Sequence, residues 1–306
     1  LGTGTATAGS GADDLTNCLA AIAAQKFDFI VVANDDATNL GRLKTHLSTY
    51  ADVNSRLRQQ GVACSMDTLS NAKTIASGLN AAQIQLGWHY NAEDTTMEVA
   101  AQIAAARLYG DAVTGGTSLG EIVNPACNHN GTMLPSVINQ HVEADQPTSA
   151  EQRDALKNGL TPLAPSASNP GFARIVSSIT TRFKDSAGNP NYAVRKTKVV
   201  STLFRVADTI EARCAARYAH KNLAPDPADG RALPTSDMVS PGQIKLDIAS
   251  DLRECESKGW LVKVEANLPQ LDVVTSGTNP ELVIAQIPGS VIPDLNSLAG
   301  TVVNAG

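Results

Sequence analysis

Aromatic side chains are scarce in this chain, at 4% of its residues. Ala, Gly, Ser and Thr are abundant instead, so a core has to be built from small and branched side chains with its elements packed closely. Paired cysteines are lacking too. Cys18, Cys64, Cys127, Cys214 and Cys255 are an odd number, widely spaced and without a CxxC pair; they point to no disulfide framework and no zinc site, and read as small buried hydrophobes. Cys127, His129 and His141 match no zinc spacing and read as surface loop. No apolar run approaches the roughly 20 residues that cross a bilayer, and no signal peptide opens the chain, so membrane insertion is not expected and synthesis in the cytosol is. Positive charge is not in excess: the net charge of −6 argues against nucleic-acid binding through bulk charge. No Gly-x-Ser-x-Gly turn or comparable nucleophile signature occurs, so a serine or cysteine hydrolase has no sequence support.

What is present is an ordinary soluble composition, with a hydrophobic fraction of 42% over 306 residues, a length that suits two domains. We expect an α/β domain over residues 1–165, including a long loop-rich connection, and a second domain over 166–306. In the first half, Asp13 or Asp14 caps a helix with Leu15, Cys18, Leu19 and Ile22 on one face. Residues 27–33 form an apolar strand. Asn34, Asp35 and Asp36 end it and cap a helix carrying Leu40, Leu43 and Leu47. A helical stretch over 53–57, a stop at Gly61, a strand over 62–66, a helix over 68–79, a strand with Ile84, Leu86 and Trp88 alternating, and an Ala-rich helix over 94–109 follow. Strands alternating with helices imply a mainly parallel sheet with flanking helices.

Two features of this half bear on chemistry. The strand-end groups Asn34, Asp35, Asp36 and Trp88-His89-Tyr90 stand where α/β sheets bind ligands, although Asp and Asn after a strand are far more often caps. The opening glycines, Gly2 to Gly11, resemble part of a dinucleotide fingerprint but lack the strand that must precede one. A nucleotide-binding α/β enzyme using that loop is the alternative reading; the leading one has no catalytic residue, no cofactor and no metal. Residues 110–170 break the alternation with Gly- and Pro-rich stretches and read as loop.

The second half reads as an α+β domain. It begins with a hairpin, a strand over 172–183 turning at 185–190 into a return from Tyr192, and continues with a helix over 198–221 and a Pro/Asp/Gly loop. A second helix starts at Ser240-Pro241, carries Ile244, Ile248, Leu252 and Cys255, and closes at Gly259. Strands over 260–266 and 271–276 come next, and a turn at 277–280 leads into an apolar run over 281–287. The tail from Ile287 to Asn304 is extended, apolar and studded with Pro and Gly, so its backbone groups need a partner, for which a second copy of the chain is the natural candidate.

The hairpin with Ser186-Ala-Gly-Asn-Pro190-Asn-Tyr192, the helix ending in Tyr218-Ala-His-Lys-Asn-Leu223, the Val239-Ser-Pro241 helix start and the Gly259-Trp260-Leu261 strand entry together resemble a contractile tail sheath protein of the kind found in Mu-like bacteriophages. Phe27 to Val32 followed by Asp36 to Leu40 is similar to the corresponding stretch of those sheaths. Leu1 opens the chain without a Met, and the resemblance implies the central and carboxy-terminal portion of a longer protein. It also implies a non-enzymatic subunit of stacked helical rings around an inner tail tube, bounded by baseplate and tail terminator proteins. Such a sheath is assembled in the bacterial cytoplasm, belongs to the virion, and contracts without a nucleotide to drive the tube through a cell envelope. A tailocin or secretion-system sheath shares the fold and is not separated by sequence. Candidate subunit or tube contacts are the basic residues Arg195, Lys196, Lys198, Arg213, Arg217 and Lys221; an ordinary solvated face explains them equally well. The candidate inter-subunit arm comprises Ile287, Val291, Ile292, Leu295, Leu298, Val302 and Val303.

Overall fold

The computed structural model of the chain describes residues 13–52, 55–113, 124–138, 143–166, 168–227, 233 and 235–294. Internal packing divides the chain into two units, Leu1–Arg107 with His129–Thr197, and Leu108–Asn128 with Lys198–Gly306. In chain order the first elements are α1 (Thr16–Ala21), β1 (Phe29–Val31), α2 (Ala37–Tyr50), β2 (Gln60–Ser65), α3 (Leu69–Leu79), β3 (Ile84–Trp88) and α4 (Thr96–Val113). They are followed by β4 (Met133–Ile138), α5 (Ser149–Lys157), β5 (Thr161–Pro165) and β6 (Phe172–Ile175). Among the described residues these strands form one six-stranded sheet in the order β1-β2-β3-β5-β6-β4. The first four neighbours run parallel, β6 is antiparallel to β5, and β4 is antiparallel to β6. The expected α/β class, with a mainly parallel sheet, is the observed one.

The local causes are legible. Asp36 caps α2, its carboxylate accepting the Asn39 N–H at 2.9 Å, and Leu40, Leu43 and Leu47 on the following turns are fully buried. They join Ala72, Ala76, Leu79, Ile84 and Leu86 in one core. Val62, Cys64, Val99, Ala100, Ile103, Leu163 and Ile175 form another. Val62 and Cys64 flank Ala63, which belongs to the first of these cores, so the two cores lie on opposite faces of the sheet. Gly61 lies inside β2 and does not stop a helix: a Cβ there would stand 2.8 Å from Leu43 Cδ2, so a larger residue would displace the buried Leu43 side chain.

The alternation of β3 is real, yet all five of its residues are buried. Ile84, Leu86 and Trp88 face the first core. On the other face Gly87 leaves room for Ile103, whose Cδ1 would be 2.7 Å from a Cβ, and Gln85 accepts a hydrogen bond from Arg107 Nη1 at 2.9 Å. Arg107 is itself fully buried; its Nη2 donates to Gln60 Oε1 at 2.6 Å, and its guanidinium stacks on Phe29 with 4.5 Å to the ring centroid. Gln85 also donates to Thr161 and Ser178. A polar network therefore crosses the middle of the sheet on the face opposite Ile84, Leu86 and Trp88.

Several expectations are corrected. Residues 110–170 contain β4, α5 and β5, and β5 is an internal strand. Its prolines, Pro162 and Pro165, argue against a strand because they carry no N–H. The ladder is kept there because the Pro162 carbonyl accepts the Val176 N–H at 3.0 Å, while Leu163, Ala164 and Pro165 pair with Ile175, Arg174 and Ala173. Pro135 in β4 sits on an edge strand, where it is tolerated. The strand expected over 172–183 ends at Ile175 and gives way to irregular chain with isolated bridges Ile179 to Lys196 and Lys184 to Pro190. Residues 55–59 are not helical, and 53–54 lie outside the described residues, as does the Gly2 to Gly11 loop. Cys64 and Cys255 are buried as expected, and burial pushes the Cys64 thiol up; Cys18 is exposed.

Gly159, immediately after α5, illustrates a position only glycine fits. Its φ is +80° and a Cβ would lie 2.6 Å from the Thr181 carbonyl oxygen. We expect G159A to destabilise the first unit by about 2–5 kcal/mol, combining left-handed strain with overpacking. Denaturation followed through the fluorescence of Trp88, a core residue of that unit, measures it; an unchanged midpoint contradicts the packing described here.

In the second unit α6 (Thr197–Tyr218) is followed by β7 (Asn222–Leu223), β8 (Met238–Val239), α7 (Pro241–Ser257), α8 (Val264–Asn267), β9 (Asp272–Thr275) and β10 (Val283–Gln286). Ser240 caps α7 and Pro241 occupies its first turn as the sequence predicts, and Asp226 adds a second cap by accepting the Gly242 N–H at 2.8 Å. Gly259, with φ +74°, closes the helix turn. Val206, Ile210, Ile244, Ile248, Leu252 and Trp260 form the core with Leu271 and Val273. The strand expected over 260–266 is instead one bridge, Leu261 to Val291, followed by α8.

Candidate functional site

The β9–β10 hairpin of the second unit forms a two-stranded sheet among the described residues. Its strands pair antiparallel in the register Val283 to Thr275, Ile284 to Val274, Ala285 to Val273 and Gln286 to Asp272. The turn is closed by the Ser276 N–H, which donates to the Leu282 carbonyl at 2.7 Å. Among the described residues the sheet contains these two strands and no third. Two-stranded sheets are marginal by themselves, and each free edge presents backbone donors and acceptors. Val273 and Leu271 fasten the hairpin to the core, but the directly opposed pair Val274 and Ile284 is 46% and 47% exposed. An apolar cross-strand pair facing solvent on an open hairpin is suited to receive another strand.

The basic candidates are occupied differently. Arg213 donates from Nη1 to Asp251 at 2.7 Å and to Glu254 at 2.6 Å, and from Nη2 to Glu254 at 2.6 Å. Arg217 grips both oxygens of Asp251 at 2.6 Å. Asp251 is a buried carboxylate, its side chain 2% exposed, so α6 and α7 are joined by a charge cluster with an acidic centre. Hydrogen bonds to Glu254 and Asp251 raise the Arg213 pKa, and the Arg213 and Lys258 cations hold the Glu254 carboxyl at about 2. Tyr218 donates to Asp247 at 2.5 Å; burial, then that carboxylate, pushes its hydroxyl pKa up.

Lys198 is buried against Asp294, and Lys221 is exposed. In the first unit, Arg195 stacks on Tyr192 and donates to the Leu156 carbonyl at 2.6 Å, and burial lowers its pKa; Lys196 donates to Ser177 Oγ at 2.7 Å. Of the arm residues, Ile287 and Val291 pack against this chain's own core, Ile292 is partly exposed, and Leu295, Leu298, Val302 and Val303 lie outside the described residues. The sequence does not single out the open hairpin, although alternating residues on either side of the turn at 277–280 mark its strands; what cannot be read locally is that no third strand joins them among the described residues.

Solved structures share this fold. The sheath tail protein of Listeria innocua superposes with a TM-score of 0.60 over 92% of this chain and 57% of its own, at 14% identity. That of Desulfitobacterium hafniense gives 0.57 over 90% and 59%, also at 14% identity. The fold is that of tail sheath proteins. A cryo-EM structure of the anti-feeding prophage baseplate contains a chain of similar fold, at a TM-score of 0.55 and 14% identity, over 90% of this chain and 68% of that one. This chain thus spans under three fifths of the length of the two sheath tail proteins it matches. No family model matches the sequence, and no curated protein does. Among the described residues, no helix of this sheath fold is long and apolar enough to cross a membrane.

Proposed function

We propose that this chain is a structural, non-enzymatic subunit of a contractile tail sheath. The observation that carries the reading is the sheath fold, shared over nine tenths of the chain with sheath tail proteins of two organisms. The open β9–β10 hairpin supports it, because a subunit that polymerises needs a surface left incomplete in the single chain. In this reading the hairpin accepts a strand from a neighbouring copy of the chain. Strand addition joins subunits through backbone hydrogen bonds that survive rigid-body rotation, so rings stay linked while the lattice shortens. The partners are further copies of the chain, an inner tail tube and a baseplate, and the setting is the tail of a virion or a related injection machine; the sheaths of Mu-like phages are the particular relatives proposed. Contraction releases free energy stored in subunit interfaces and requires no cofactor.

The nucleotide-enzyme alternative draws no support from Asp36, which serves as the cap of α2. Negative-stain microscopy of the full-length product tests the proposal. Tubes with a helical repeat are expected, whereas dispersed globules whose melting rises with added nucleotide would overturn it.

A further inference from the structure

The segment after β10 is held to the second unit with more contacts than its lack of regular structure implies. Ile287 and Val291 enter the core. Gly289 lies so close to Leu203 that a Cβ would stand 2.9 Å from its Cδ2. The Ser290 carbonyl accepts the Val262 N–H at 2.8 Å, and its hydroxyl accepts from Asn267 Nδ2 at 3.0 Å. The last hold is of another kind: Lys198 Nζ meets the Asp294 carboxylate at 2.5 Å, with the two side chains 6% and 4% exposed.

A buried ion pair is a poor source of net stability, since desolvating both charges offsets most of their attraction and an apolar pair of like volume often does as well. Its distinctive property is intolerance of displacement: pulling the partners apart without hydrating them leaves two unpaired charges in an apolar setting. The helix gives Lys198 no reason to be there, because a cation in the first turn of α6 opposes the helix dipole, while a carboxylate beside that turn complements it. We infer that Lys198 and Asp294 form an anchor that fixes the segment between β10 and Asp294 to the start of α6. Tension applied beyond Asp294 meets this pair first. Without it, the contacts at Val291, Ser290 and Ile287 would be loaded one after another and peeled in sequence toward β10, and the hairpin would lose its register. The pair is a positioning device, and its value for transmitting force between subunits rests on the sheath reading; its existence as an anchor does not.

Hydrogen-exchange mass spectrometry of the full chain tests it. D294N and K198M are each expected to raise exchange of amides in residues 287–294 by about tenfold through local opening, leaving α7 and residues 272–282 unchanged. Unchanged rates in 287–294, or an equal rise throughout the second unit, would overturn the anchor. Should either single variant fail to fold, D294E, which keeps both charges but displaces the carboxylate, is measured in the same way; local loosening supports the anchor and wild-type rates refute it. The sheath reading is judged apart, on wild-type protein: if it forms no tubes, that reading fails while the exchange result still decides the anchor. If it does form tubes, D294N tubes are expected to dissociate at lower denaturant concentration than wild-type tubes, and equal resistance would show that the pair bears no tension.

Discussion

A chain carrying V274E and I284E is expected to fold and fail to polymerise. Both positions are nearly half exposed in the single chain, directly opposite one another on the β9–β10 hairpin. Two carboxylates facing each other there cost about 0.2–1 kcal/mol by like-charge repulsion, so the melting transition of the isolated protein should move little. In the proposed sheath, where a neighbour's strand covers the hairpin, the balance reverses. Burial of the Val and Ile side chains contributes up to about 1.5–3 kcal/mol each, and the variant loses that gain while having to bury charge without a partner. A loss of about 3 kcal/mol per contact already corresponds to roughly a hundredfold in affinity, at 1.4 kcal/mol per factor of ten, and every subunit in a lattice suffers it. The critical concentration for tube formation, read by sedimentation and microscopy, should therefore rise beyond the accessible range. Tubes assembling at the wild-type concentration would remove the hairpin from the interface.

The second large effect concerns the basic stripe. Reversing Arg213 and Arg217 to Glu is expected to unfold the second unit, before any contact with a tube can be assessed. The cost is counted from Asp251, since the arginines are 27% and 37% exposed and water screens them. Asp251 is buried, and stripping a buried charge of its partners costs about 3–5 kcal/mol. Two further carboxylates beside it and Glu254 add repulsion, against a total stability of about 5–15 kcal/mol for a typical domain. The thermal transition of the second unit, followed through Trp260, should be lost or strongly lowered; R213L/R217L/D251L, which removes the cluster as a whole, should recover much of it. A wild-type transition in the Glu variant would contradict the charge cluster. The same network predicts acid sensitivity: the Glu254 carboxyl, held at about 2 against an ordinary 4.5, contributes stability that is complete above pH 4.5 and is lost as pH falls toward 2.

These results change what the basic residues can mean. Arg213 and Arg217 share a helix face, as their spacing predicts, but that face is turned to α7, where their charge is matched within the chain. Lys198 is likewise committed to Asp294, and Lys221 keeps an exposed side chain. We therefore propose Lys221 as the member of the set best placed to meet a tube or a neighbouring subunit.

By itself the sequence determined the strand–helix alternation of the first half and the starts and stops of several helices. These are local properties: Asp36 and Ser240 reach N–H groups three residues on, Gly259 tolerates a left-handed turn, and Leu40, Leu43 and Leu47 recur at the helical period. The capping box of Thr148 and Glu151, which opens α5 inside a region expected to be loop, is also a local sign. Only the tertiary structure decided that 161–165 is a strand between β3 and β6, because partners on both sides outweigh the two missing N–H groups of its prolines. Only it could join Arg213 to acids 38 and 41 residues away, bury Arg107 on two glutamines, and leave β9 and β10, among the described residues, without a third strand. Pairings of that range have no spacing rule in the chain; they form because burial removes water and each polar group left inside must find whichever partner the fold brings near.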